Sequence, residues 1–256
     1  MDSVYKVMIG NTSIPTKLFR FSGGETQVCL DIPKDISGDV VNIYALVRDG
    51  NPMPLAMIVD ALRRSLDEPK IRVHMPYLPY ARQDRVMNAG ESLAVGVFCE
   101  FINSLSLNSV SIDDCHSDVG TALLNRVKND TTIHEWCFSG EFDCLVSPDA
   151  GSLKRINKQA KTLGITDIVR ADKTRDVNTG NITGTVVHGD VKGKRVLIID
   201  DLIDGGASYT NLGAKLKECG ASKVSLYATH GIFSRGKGVF VGTVDDVFTK
   251  YDWTEL

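Results

Sequence analysis

Short apolar runs alternate with longer amphipathic stretches along this chain, and no other feature restricts its fold as strongly. Residues 40–47 (VVNIYALV) read as a buried strand. Residues 54–66 (PLAMIVDALRRSL) open with proline and place apolar side chains at helical spacing, which predicts a helix. A strand at 71–75 (IRVHM), a helix at 92–105 (SLAVGVFCEFINSL) and a strand starting at 109–112 follow. Downstream, 144–147, 167–170, 195–200 and 223–229 are strand candidates, with helices at 152–161 and 209–218 between them. Such alternation implies an α/β fold, a mainly parallel, doubly wound sheet with helices on both faces. The pattern runs twice, with a seam near 131–141, and predicts two similar halves, 1–134 and 135–256. In each half a strand ends in a polar, Gly- or Asp-bearing loop before a helix. Ligands bind at those carboxyl ends in doubly wound sheets, so chemistry is expected there.

Composition narrows the class. At roughly 150 residues per domain, 256 residues make one large domain or two small ones. A hydrophobic share of 43% and a charged share of 24% suit a soluble globular protein. A chain this long can bury a core without disulfide or metal staples. Lys and Arg number 29 against 32 Asp and Glu, a net charge of -3, which argues against a broad nucleic-acid footprint. No run of about 18 apolar residues is present, so no membrane span is expected. The N-terminal MDSVYKVMIGNTS lacks the marks of a secretory signal. The six cysteines form no CxxC pair, and several sit in apolar runs. A reduced, cytoplasmic setting is the simplest reading. His134, Cys137 and Cys144 can be drawn as a zinc site, but their spacing fits no common finger and buried thiols are the better reading.

The densest chemistry lies at 195–216, RVLIIDDLIDGGASYTNLGAKL. Four apolar residues run into Asp200 and Asp201, and Asp204, Gly205, Gly206, Ala207 and Ser208 precede an amphipathic helix. Adjacent glycines let backbone approach a ligand, and loop N–H groups with a helix N-terminus behind them form an anion site suited to phosphate. The upstream carboxylates would repel that anion, so ribose hydroxyls or Mg²⁺ suit them better. The plain alternative is a strand–turn–helix capped by Asp204 or Ser208.

This segment resembles the ribose-phosphate motif of the type I phosphoribosyltransferase superfamily. Other segments resemble the ribose-phosphate pyrophosphokinase family within it: FSGGET (21–26) its adenine-contacting segment, MPYLPYARQDR (75–85) its ATP site, and IDDCHSD (112–118) its metal-histidine loop. SPDAGSLKR (147–155) and ADKTRDVNTG (171–180) resemble its second aspartate loop and its catalytic flexible loop. The matches keep the family's order over residues 21–234. The resemblance implies two phosphoribosyltransferase-like halves and transfer of the β,γ-diphosphoryl group of ATP to the anomeric hydroxyl of ribose 5-phosphate, releasing AMP.

It also implies roles. Lys173 and Arg175 would neutralise charge on the transferred group. Phe21, Glu25, Arg82, Gln83 and Asp84 would contact ATP. His116 and Asp149 would hold the Mg²⁺ of ATP, and Asp200 and Asp201 the ribose hydroxyls and a second metal. Asp204, Gly205, Gly206, Ala207 and Ser208 would cradle the 5-phosphate. The adenine segment reaches a neighbouring subunit in the family, which implies a homo-oligomer, a dimer at least, with a hexamer usual. On residues alone, His116 reads equally as a cap, Asp149 as a turn residue, Lys173 and Arg175 as a solvated hairpin face, and YARQDR as an exposed charged loop.

Departures from the family pattern bear on the acceptor. The family's Asp-Thr-Gly-Gly-Thr becomes Asp204-Gly205-Gly206-Ala207-Ser208, losing a hydroxyl at Gly205 and adding a methyl at Ala207. The room at Gly205 makes ADP-ribose, with its diphosphate, an alternative acceptor. Gly23 replaces a polar residue of the adenine segment and relaxes the expected ATP selectivity. RVMNAGES replaces a basic run, and the chain stops at Leu256, tens of residues short of typical members. Loss of ADP/phosphate regulation and a viral or streamlined source are expected, with the host cytoplasm as location if viral. A non-catalytic regulatory homologue is disfavoured by Lys173, Arg175, His116, Asp149 and Asp200, and a phosphoribosyltransferase by the ATP-type segments.

Overall fold

A computed structural model describes residues 3–133, 141–175 and 182–255, with backbone alone for 173–175 and 182–183. The chain divides into two compact units, Met1–Thr131 and Thr132–Leu256.

The first unit contains β1 (Val4–Ile9), β2 (Thr12–Ile14), β3 (Thr16–Arg20), β4 (Thr26–Leu30), β5 (Val40–Leu46), α1 (Met53–Ser65), β6 (Lys70–His74), α2 (Ala94–Ser104), β7 (Ser109–Asp113), α3 (Asp118–Leu123) and β8 (Val127–Asp130). Its sheet runs β2-β1-β5-β6-β7-β8, parallel from β5 to β8 and antiparallel at β1 and β2. β3 and β4 form a separate antiparallel ribbon. Proline stands in the first turn of α1, where its missing N–H costs nothing. Leu55, Ile58, Val59 and Leu62 of α1 are buried at helical spacing. Arg63 and Arg64 close its last turn, favourably placed against the helix dipole.

The second unit contains β9 (Cys144–Ser147), α4 (Leu153–Leu163), β10 (Ile168–Arg175), β11 (Ile182–His188), β12 (Arg195–Ile203), α5 (Ala207–Glu218), β13 (Lys223–Gly231), a 3-10 turn (Lys237–Phe240) and β14 (Asp246–Asp252). Its sheet, β11-β10-β9-β12-β13-β14, is parallel except for the edge strand β11. Both units thus have the α/β, mainly parallel layout expected from the alternation. Each has cores of its own: Val41, Ile43, Ile58, Val73 and Ile112 lie in that of the first, and Val146, Ile198, Leu212 and Leu226 in one of the second.

Two strands run further than the apolar runs that announce them. β12 continues through Asp200 and Asp201 to Ile203, because β13 pairs with it as far as Gly231. β10 continues through polar residues to Arg175, paired with β11. No helix among the described residues is long and apolar enough to cross a membrane.

Candidate active site

In the second unit the site grows from the end of β12. Flanked by β9 and β13, this strand is buried from Val196 to Ile203, and its carboxylates are carried into the interior with it. Asp200 and Asp201 are only 9% and 5% exposed. Burying charge is expensive unless it is paired, and here one guanidinium nitrogen serves both. Arg155 of α4 donates from Nη1 to Asp200 Oδ1 at 3.0 Å and to Asp201 Oδ1 at 3.1 Å. The Tyr209 hydroxyl lies 2.9 Å from Asp200 Oδ2 and 2.7 Å from the Leu202 carbonyl, so its one proton is shared between two acceptors. Burial first, then repulsion from Asp201, pushes the Asp200 carboxyl well above the usual carboxylate range, against the opposing pull of Arg155. The two carboxylates share this cation near the end of β12. Their hard oxygens suit a divalent cation or sugar hydroxyls.

The loop after β12 turns into α5 at Gly206, which caps the helix at φ 81°. No described side chain caps this helix, so the expected caps Asp204 and Ser208 are not the ones used. Asp204 accepts instead from Ser234 Oγ at 2.6 Å, beyond the end of β13. A Cβ on Gly206 would fall 2.9 Å from Phe240 Cζ and Val239 Cγ2, so both conformation and space demand glycine. Gly205 differs: a Cβ there would meet neighbours only at ordinary contact distance, 3.5 Å or more. Ala207 is exposed and Ser208 half-buried in the first turn of α5.

Asp149 lies between β9 and α4. Its Oδ1 accepts from Ser152 N at 3.0 Å and Ser152 Oγ at 2.9 Å, the behaviour of a turn aspartate. Lys173 and Arg175 lie on β10, opposite Thr185 and Ile182 of β11, in an antiparallel hairpin. The rest of the expected catalytic loop, 176–180, lies outside the described residues, as do His134 and Cys137 of the paper zinc site. Cys144 is buried in β9, and burial pushes its thiol up to about 11. Among the described residues no group of three or more His, Cys, Asp or Glu side chains could hold a metal.

In the first unit Arg82, Gln83, Asp84 and His116 follow the carboxyl ends of β6 and β7. Arg82 and Gln83 are exposed in the loop after β6, which is held by Gln83 N–H on the Tyr80 carbonyl at 2.8 Å. Hydrogen bonds from Arg85 and then Ser117 hold the Asp84 carboxyl below its ordinary range. That second bond ties the loop of Arg82, Gln83 and Asp84 to the loop of His116. His116 is exposed and is not a cap: Ser117 Oγ caps α3, accepting from Val119 N at 3.1 Å. Asp114, at φ 51°, donates its N–H to the Asp130 carbonyl at 2.8 Å. Phe21 and Glu25 close the β3–β4 ribbon, where Phe21 N–H donates to the Glu25 carbonyl at 2.9 Å. Phe21 is 55% exposed, edge-on to Phe19 at 5.3 Å between ring centroids. A Cβ on Gly23 would press on the Glu25 carboxylate at 2.5 Å, so glycine leaves that acid its place.

Arg155 and Tyr209 are the residues that sequence reading missed. Arg155 ended a quoted motif, but its partners are 45 and 46 positions away. Only the turn of α4 that follows the Asp149 loop hints at its direction.

Comparison with known proteins matches this layout. Residues 3–105 match the N-terminal domain of ribose phosphate pyrophosphokinase, and residues 123–249 the phosphoribosyl transferase domain. The chain is 31% identical over 244 residues to the ribose-phosphate pyrophosphokinase of Vibrio parahaemolyticus, covering 91% of this chain and 74% of that one. It is 34% identical over 226 residues to that of Shewanella oneidensis, covering 84% and 70%. The crystal structure of phosphoribosylpyrophosphate synthetase from Mycobacterium smegmatis superposes with a TM-score of 0.73 at 25% identity, over 91% of this chain and 78% of that one. With its paired sheets, its carboxylate-bearing strand end and relatives spanning both units, the chain belongs to the ribose-phosphate pyrophosphokinase family of diphosphotransferase enzymes.

Proposed function

We propose that this protein transfers the β,γ-diphosphoryl group of ATP to the anomeric hydroxyl of ribose 5-phosphate, giving phosphoribosyl pyrophosphate and AMP. One observation carries the reading: the buried Asp200–Asp201 pair stands at the end of β12, directly before a helix start that no described side chain caps. The pair would accept from ribose hydroxyls while loop N–H groups take the 5-phosphate. Arg82, Gln83 and Asp84, with Phe21 and Glu25, would bind ATP. His116, Asp149, Asp200 and Asp201 would hold Mg²⁺, which keeps several waters and shares substrate phosphates rather than filling a protein cage. When bound, Mg²⁺ supplies positive charge to the phosphoryl oxygens. Lys173 and Arg175 would act on the charge that develops during transfer, where positioning and electrostatics do most of the catalysis. The exposed Phe21 ribbon suits a role at a neighbouring subunit of a homo-oligomer, and the whole reading places the enzyme in the cytoplasm.

The missing side chain at Gly205, where a Cβ would meet neighbours no closer than 3.5 Å, favours a second reading, the same chemistry on ADP-ribose to give ADP-ribose pyrophosphate. AMP release from ATP and Mg²⁺, with each acceptor in turn, separates the two. Preference for ribose 5-phosphate by about 100-fold in kcat/KM, roughly 2.7 kcal/mol, disposes of ADP-ribose. The reverse preference replaces the first reading, and silence with both acceptors sinks both. EDTA is expected to abolish AMP release without unfolding the chain.

A further inference from the structure

The flank that Gly205 leaves bare is lined by a cation. A Cβ on Gly205 would lie 3.5 Å from both Cδ and Nε of Arg235, and 3.6 Å from Ser234 Oγ. The charged end of Arg235 therefore passes where a side chain at 205 would begin. The turn that carries Arg235 is built onto the end of β12. Ile232 N–H donates to the Ile203 carbonyl at 2.8 Å, Gly236 N–H closes the turn on the Phe233 carbonyl at 2.8 Å, and Ser234 Oγ holds Asp204. The other cation of the segment is occupied elsewhere: Lys237 pairs with Asp252 and Glu255. Arg235 is exposed and has no hydrogen bond or ion pair with any described residue.

Charge sharpens the point. Asp200, Asp201 and Asp204 all stand in the anion loop or within a few positions of it, and Arg155 bonds the first two. Carboxylates beside backbone N–H groups weaken a site for a doubly charged monoester. A guanidinium at the rim corrects that, because its planar donors grip phosphoryl oxygens in pairs. We infer that Arg235 is a specificity-determining residue of the acceptor site, donating to the terminal phosphoryl group of a sugar phosphate from the side Gly205 leaves open. The inference rests on the reading of this loop as the cradle of the acceptor's phosphate. It also gives Gly205 a purpose: a small residue there makes room for Arg235.

The test is steady-state kinetics on Arg235→Ala, Arg235→Lys, Gly205→Thr and the double variant Gly205→Thr/Arg235→Ala, with calorimetric titration of ribose 5-phosphate alone as a readout independent of turnover. Arg235→Ala is expected to raise KM and Kd for ribose 5-phosphate about 10- to 100-fold, the loss of charged hydrogen bonds, with KM for ATP unchanged. Arg235→Lys should recover part of the loss. Gly205→Thr should bring no gain while Arg235 occupies its flank, yet improve ribose 5-phosphate binding once Arg235 is alanine. Loss with ADP-ribose should be smaller, since its two phosphoryl groups are bridged, carry one charge each and present no terminal phosphate. Three results overturn the inference: Arg235→Ala within twofold of wild type, equal losses for ATP and ribose 5-phosphate, or a larger loss with ADP-ribose. A wild-type protein that neither binds nor uses either sugar refutes the underlying reading of the loop instead.

Discussion

Arg155 holds two buried carboxylates with one nitrogen, and removing it takes that shared cation from both. Arg155→Ala is expected to destabilise the fold by about 3–5 kcal/mol, the scale for breaking a buried ion pair. Urea denaturation at pH 7 measures it, and a loss near zero would mean that solvent reaches the pair. Lys173 calls for a different assay, because its proposed role is in the transition state. Lys173→Ala should lower kcat by about 10²–10³ with little change in KM for ATP. A raised KM at unchanged kcat would show that Lys173 serves ground-state binding alone. Asp200 and Asp201 were legible in the sequence because charge at the end of an apolar run is conspicuous. Arg155 and Tyr209 were not, since nothing local ties either side chain to β12 before the strand and helices are assembled.

Elements were legible where apolar runs mark them and illegible where partners make them. β5, β6, β7, β9, α1, α2, α4 and α5 fall close to their expected spans. β2, β3, β4, β8, β11 and β14 are short, polar or edge strands whose pairing comes from neighbours rather than from their own pattern, whereas β1 lies inside its sheet and alternates buried with more open positions. The turn from β12 into α5 tests the local physics. Gly206→Ala must accept φ 81° and a Cβ 2.9 Å from Phe240 and Val239, whereas Gly205→Ala meets only ordinary contacts. The first should cost at least about 1–2 kcal/mol and the second far less, a difference that chemical denaturation reads directly. A further tie joins β9 to β12 at their starts. Arg195 donates to the two carboxylate oxygens of Asp143, from Nη2 at 2.7 Å and Nε at 3.0 Å, and holds that acid at about 2, below its ordinary 3.8. The folded pKa is depressed, so the stabilisation is present above about pH 4 and is lost as pH falls from about 4 to about 2. The stability gap between wild type and Asp143→Asn should therefore shrink over that range. A gap that stays constant through it would remove Asp143 from the acid response.

For the whole molecule, the repeated alternation announced two similar α/β halves, and each unit has its own cores and its own sheet with antiparallel edge pairing. Apart from Phe21 and Glu25 on the β3–β4 ribbon, candidate residues stand toward the carboxyl ends of parallel strands in both units, where open α/β sheets place ligand sites. Fold class is thus carried by periodicity, which survives in a single sequence. The acceptor is not, because the flank proposed to select it is assembled by the fold, which alone brings Arg235 to Gly205. The central claim is the transfer of two phosphoryl groups as one unit. It is tested most directly by running the reaction with ribose 5-phosphate, Mg²⁺ and ATP labelled with ³²P at the β or at the γ position. Diphosphoryl transfer predicts that either label passes to the sugar product, with AMP formed in equal amount. Label passing only from the γ position, with ADP as the other product, would contradict it.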